Sequence, residues 1–104
     1  MGEIDIVQAA EARERGVLLV DVREPDEYED GHVPGAVNIP VEHLPSRVDE
    51  LDRDAPVHVI CASGNRSSAM ADFLTGAGFD AASVAGGTSA WIRAGHPIEK
   101  GATR

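Results

Sequence analysis

The most constraining feature of this sequence is an alternation in which apolar runs of strand length are separated by segments with helical spacing. VLLV at 17–20 is continuously apolar, as in a strand covered on both faces. VHVI at 57–60, after Pro56, reads the same way, and shorter strands are expected at 36–39 and near 82–84. Asp5 and Gln8 have the spacing of a capping box that opens a helix ending near Gly16. Pro25 starts a short helix through Asp30, with Gly31 as its stop. Val41, Leu44, Val48 and Leu51 predict a helix over 42–52. Met70, Phe73, Leu74 and Ala77 predict the strongest helix, starting near Arg66 and closed by Gly78. A last helix is expected over 88–94, before Gly95 and Pro97. Strands alternating with helices specify an α/β fold with a largely parallel sheet. At 104 residues, 1–104 is read as one domain. Sites in such sheets form beyond the carboxyl ends of the strands, which directs attention to the loop after Ile60.

Charge narrows the partners. With 18 acidic and 9 basic side chains the net charge is −9, which argues against nucleic acid and against anionic membrane surfaces. No window is long and apolar enough for a membrane span, and the N-terminal residues carry no signal-peptide pattern. Position 6 is Ile, where a myristoylation motif needs Ser or Thr. The single cysteine rules out a disulfide within the chain and fits a cytoplasmic, reducing environment. An anion site in so acidic a chain must be built locally.

Residues 61–68, CASGNRSS, supply the materials for one. They lie between a strand and a helix start, where unpaired N–H groups and the helix dipole favour negative charge. Consecutive amides in a tight loop converge into an anion-binding nest. Gly64 permits a left-handed backbone there, and Arg66 adds a positive charge at the rim. A cysteine in this setting is expected to have a depressed pKa and to react as the thiolate. The side chains of Ser63, Asn65, Ser67 and Ser68 are ordinary turn and cap groups, so the backbone N–H groups are expected to matter more.

Three segments resemble signatures of the rhodanese superfamily: DVREPDEYEDGHVPGAVNIP at 21–40, CASGNRSSAMADFL at 61–74 and GGTSAWIRAGHPIE at 86–99. The resemblance implies a rhodanese-like three-layer α/β/α fold with about five mainly parallel strands. It implies that Cys61 is the catalytic residue, accepting a sulfane sulfur from a small anion such as thiosulfate. The amides of Ala62, Ser63, Gly64, Asn65, Arg66 and Ser67 would cradle that sulfur. A thiol, cyanide or a protein thiol would take it, and neither a metal nor an organic cofactor is needed. Asp21 and Arg23 match the family's Asp-x-Arg and are expected to support the cradle, with the carboxylate bonding loop amides. Members of this fold that act on phosphate or arsenate place five residues between Cys and Arg. Here four residues, Ala62 to Asn65, intervene, which suits a sulfur atom better than a tetrahedral oxyanion. Ala62 stands where many members have a basic or bulky residue, which leaves the preference for thiosulfate open.

Other residues read more plainly. Gly86 and Gly87 form a tight lead into the last helix, and Trp91 reads as core. The four histidines make no metal constellation, and His58 and Cys61 point to opposite faces of an extended strand. The acidic run Glu24–Asp30 reads as a solvated helix face, and His32 as a structural turn residue. Two further functional readings stay open: a non-catalytic interaction or regulatory module, and a phosphatase-like enzyme using Cys61 and Arg66.

Overall fold

The computed structural model describes residues 2–101. Five parallel strands form one sheet: β1 (Glu3–Ile4), β2 (Leu18–Asp21), β3 (Val37–Asn38), β4 (Val57–Ile60) and β5 (Ala81–Val84), in the order β1-β5-β4-β2-β3. The helices are α1 (Ile6–Glu14), α2 (Pro25–Asp30), α3 (Leu44–Arg47), α4 (Asn65–Gly76) and α5 (Gly87–Arg93). Both faces of the sheet are covered, as the apolar runs of β2 and β4 require. On one face Val57, Val59 and Cys61 pack with Ala71 and Leu74 of α4 and Leu44 of α3. On the other, Ile60 and Val84 pack with Ala9 of α1, Tyr28 of α2 and Trp91 of α5. The expected three-layer α/β/α architecture is what the chain forms.

The topology places the site. The chain leaves β2 toward β3 on one side, and leaves β4 toward β5 on the other. β2 and β4 are neighbours in parallel register, with Asp21 opposite Ile60. Their carboxyl ends therefore flank the crevice where connections diverge, the preferred ligand position in an open α/β sheet. Asp21, Arg23 and the loop after Ile60 all emerge there.

The capping box at Asp5 and Gln8 forms, with Gln8 N–H donating to Asp5 at 2.8 Å. Other expectations needed correction. The helix expected over 42–52 is a single turn, α3, followed by a 3₁₀ turn (Val48–Glu50). Pro45 brings no backbone N–H to a segment already short, although Val41, Leu44, Val48 and Leu51 still face the core. α4 begins at Asn65, with Gly64 as its N-cap. Its buried face runs through Ser67, Ala71 and Leu74, so Met70 and Ala77 pack beside it while Phe73 lies outside at 38% exposure. β1 was not anticipated; its two residues pair with Ser83 and Val84.

The acidic run is not a solvated face throughout. Tyr28 is buried, donates its hydroxyl to the carbonyl of Ala36 and stacks on the buried His32 ring at 3.7 Å. His32 in turn exchanges backbone hydrogen bonds with Glu99, which ties the C-terminal segment over α2. Trp91 is core, and its indole N–H donates to Pro97 at 2.7 Å.

The register of α4 generates a contrast. Leu74→Ala is expected to cost about 2–5 kcal/mol by leaving a cavity, whereas Phe73→Ala stays within about 0.5 kcal/mol. Urea denaturation of the two variants checks this, and equal costs would overturn the assignment of the buried face.

Candidate active site

Cys61 directly follows β4 on the face that α4 covers, and its residue is only 1% exposed. Sγ lies 3.1 Å from the amide of Gly64 and 3.3 Å from the amide of Ser67, both of which donate to it. The Ser67 hydroxyl is 3.4 Å away. Burial pushes the thiol pKa up, but the Ser67 hydroxyl and the amides of Ser67, Gly64 and Ser63 outweigh it. The thiol is held below its ordinary value of 9.0.

The local backbone explains why the amides converge. Gly64 has φ +110°, a conformation that side-chain-bearing residues rarely adopt, and it folds the loop back over the sulfur before the helix starts. Ser67 is in the first turn of α4, where N–H groups have no intrahelical acceptor, and its N–H takes Sγ instead. Asn65 and Arg66 occupy the same turn. The other end of the loop is held by α5. Thr88 donates both its amide (2.8 Å) and its hydroxyl (3.1 Å) to the Cys61 carbonyl, and the Ser89 amide donates to the Ala62 carbonyl at 3.0 Å. Gly87 allows this approach: its φ is +59°, and a Cβ there would collide with the carbonyl oxygens of Cys61 and Ala62.

Of the loop amides expected to form the cradle, those of Gly64 and Ser67 reach the sulfur, and two residues take other roles. Ser67 contributes its side chain as well as its backbone. Arg66 stands at the rim, but its guanidinium grips Glu27 of α2 through bonds of 2.9 and 3.2 Å. That pair raises the Arg66 pKa and lowers that of Glu27, and charge on Cys61 also raises Arg66. The same Glu27 carboxylate accepts the Glu24 amide at 2.9 Å, so α2 and α4 are joined where they begin.

Asp21 differs from expectation. The Asp21 carboxylate is fully buried and bonds no amide of the 61–67 loop. It accepts instead from the Arg23 guanidinium, at 3.0 and 2.8 Å, and from the Arg23 amide at 3.0 Å. Arg23 also donates to the carbonyl of Gly31 at 2.8 Å. A guanidinium two residues away satisfies the carboxylate more fully than single amides across the crevice. The pair thus braces the neighbouring wall. A cleft of about 200 Å³ opens beside the loop, lined by Arg23, Asp30, Ala62, Ser89, Ile92 and Ile98 among others.

Residues 5–94 match the Rhodanese-like domain family. The chain belongs to this family. The thiosulfate sulfurtransferase GlpE of Pseudomonas syringae pv. syringae is 41% identical over 93 residues, covering 88% of this chain and 87% of its own length. The GlpE of Pseudomonas putida is 39% identical over 94 residues, covering 88% and 84%. Among solved structures, a rhodanese-related protein from Thermoplasma volcanium superposes with a TM-score of 0.89 at 35% identity, covering 95% of this chain and 98% of that one. A rhodanese-like domain protein from Staphylococcus aureus gives 0.86 at 28% identity, covering 98% and 100%. Among the described residues of this rhodanese-like domain, no group of three His, Cys, Asp or Glu side chains is placed to hold a metal ion, and no helix is long and apolar enough to cross a membrane.

Sequence reasoning missed Thr88, Ser89 and Ser83, the last 2.7 Å behind Ser67. None carries a local signal, because their partners lie 16 to 27 positions away along the chain.

The geometry gives two measurable outcomes. The rate of Cys61 alkylation by iodoacetamide against pH should show a midpoint below that of a free cysteine measured in parallel, and a midpoint at or above it would contradict the cradle. Gly87→Ala should raise that midpoint and cost about 1–3 kcal/mol in urea unfolding, through collision with the loop carbonyls. A Gly87→Ala protein matching the wild type in both would show that α5 does not shape the loop.

Proposed function

We propose that this rhodanese-like domain is a sulfurtransferase that moves a sulfane sulfur from thiosulfate, or a related anion, to a thiol acceptor through a persulfide on Cys61. The observation that carries the reading is the sulfur of Cys61 held by the amides of Gly64 and Ser67 at the mouth of β4.

The Cys61 thiolate attacks the outer sulfur of thiosulfate. A bond forms between the two sulfurs, the bond to the sulfonate sulfur breaks, and sulfite leaves with its electron pair. No external oxidant or reductant is consumed. The terminal sulfur of the persulfide carries the negative charge, and the amides of the loop from Ala62 to Ser67 are the groups available to hold it. A thiolate or cyanide then attacks that terminal sulfur, forming a new persulfide or thiocyanate and returning Cys61 as thiolate. The helix dipole of α4 acts on each anionic species in the same direction. Metal and organic cofactors have no part in this cycle. Nucleic acid and membrane partners are not proposed for a chain of net charge −9, and a lone working thiol suits a reducing, cytoplasmic compartment.

Arg66 weighs against the phosphatase-like alternative. A phosphoryl-binding arginine must offer its fork to the substrate, and here both arms engage Glu27.

Intact mass spectrometry without reductant tests the proposal. Protein incubated with thiosulfate should gain the mass of one sulfur atom, lose it on addition of cyanide with release of thiocyanate, and show neither change as Cys61→Ser. Equal thiocyanate release by wild type and Cys61→Ser would refute it.

A further inference from the structure

Behind the loop lies a buried hydroxyl that the reaction as described does not use. Ser83 sits within β5 at 1% exposure, on the same strand face as Ala81. Its Oγ is 2.7 Å from Ser67 Oγ, which in turn is 3.4 Å from Cys61 Sγ and 3.3 Å from the Gly64 carbonyl. Among the described residues, Ser67 is the single hydrogen-bonding partner of the Ser83 hydroxyl.

We propose that Ser83 is a positioning residue for sulfur transfer: it donates to Ser67 Oγ and so directs the Ser67 proton onto the sulfur of Cys61. This rests on the sulfurtransferase reading for its significance, but not for its test. The argument is an inventory of two protons. If Ser67 donated to Ser83, the buried Ser83 proton would have no acceptor, an arrangement that leaves a desolvated donor unsatisfied. With Ser83 donating to Ser67, both groups are satisfied, and the Ser67 proton has two acceptors within reach, the Gly64 carbonyl and Sγ.

The Gly64 carbonyl already accepts from the Ser68 amide at 3.0 Å, while a charged sulfur is the stronger acceptor. Ionisation of Cys61 therefore draws the Ser67 proton to sulfur. When the thiol is protonated, its S–H donates to Ser67 Oγ, which has lone pairs for both Cys61 and Ser83. A hydroxyl that accepts a hydrogen bond donates more strongly in turn, so Ser83 favours the thiolate without touching it. Charged neighbours do not supply the same effect. Arg66 of α4 is engaged by Glu27 of α2, Asp21 at the end of β2 is paired with Arg23 just beyond it, and His58 of β4 lies three residues back on the opposite face. None of them hydrogen-bonds to Ser67 or Ser83.

The test is the pH profile of Cys61 alkylation by iodoacetamide in wild type, Ser83→Ala, Ser67→Ala and the double variant. Ser83→Ala should slow alkylation about five- to tenfold at pH below the wild-type midpoint and move the midpoint upward. The double variant leaves no hydroxyl unpaired, so it guards against a folding artefact. Its profile should coincide with that of Ser67→Ala, because Ser83 acts through Ser67. A Ser83→Ala profile that superimposes on the wild type overturns the proposal, as does a double variant shifted beyond Ser67→Ala. Thiosulfate loading of the wild type is recorded in parallel. Failure to load would sink the reading of thiosulfate as the donor while the alkylation profiles still decide Ser83. Normal loading with an unchanged Ser83→Ala profile would sink the role of Ser83 alone.

Discussion

The site depends on the grip of α5 on two carbonyl oxygens. Thr88 and Ser89 hold the carbonyls of Cys61 and Ala62. In a trans peptide the N–H points opposite its C=O, so fixing the Ala62 oxygen toward α5 turns the Ser63 N–H away from it, toward the sulfur. The loop then crosses Gly64 in a left-handed conformation and delivers Gly64 and Ser67 to the same atom. Without the anchored carbonyls, the loop amides would have water as an equally good partner, and ordering them would cost conformational entropy on every encounter with an anion. The sheet bears that cost once, on folding. Gly87 is the steric condition for the whole arrangement, because any Cβ would hold α5 off the loop.

This construction answers the problem set by the charge of the chain. A surface with a net charge of −9 repels small anions, though over a distance limited by salt screening to about 8 Å. Inside that distance the backbone decides. The two arginines of the region are both tied to carboxylates, so the cradle relies on fixed dipoles rather than free cations. The two ion pairs differ in kind. Arg66 and Glu27 are more than a third exposed, so their pair is worth about 0–1 kcal/mol and acts chiefly to align α2 with α4. Asp21 and Arg23 are buried, and removing one partner would strand the other at a cost of about 3–5 kcal/mol.

What was legible in the sequence was local. The loop from Cys61 to Ser67 could be read as an anion site because strand, glycine and helix start are contiguous, and the Asp5–Gln8 cap for the same reason. β1 escaped because two residues carry no periodicity, and it becomes a strand only by pairing with β5. The helix over 42–52 failed because apolar spacing reports which side chains face inward, not whether the backbone between them is one helix. Phe73 shows the converse. Its place in the helical spacing points to the core, but the buried face of α4 is set by the small residues Ser67 and Ala71, which let the helix lie close to β4 and β5. Asp21 was placed correctly at the sheet edge but given the wrong partner, since Arg23 competes from only two residues away.

Burial of the thiol and its reactivity are reconciled by what a persulfide adds. At 1% exposure, Cys61 meets solvent over a sliver of surface, which protects a lone thiol from indiscriminate oxidation. A second sulfur extends the side chain by about 2 Å along the S–S bond. In the proposed persulfide the charge would move from the atom that Gly64 and Ser67 hold to the terminal sulfur. In the proposed cycle the resting thiolate is therefore screened by the protein, and the loaded form is the one presented to an acceptor. Four residues separate Cys61 from Arg66, and that arginine is turned to Glu27, where it braces α2 against α4.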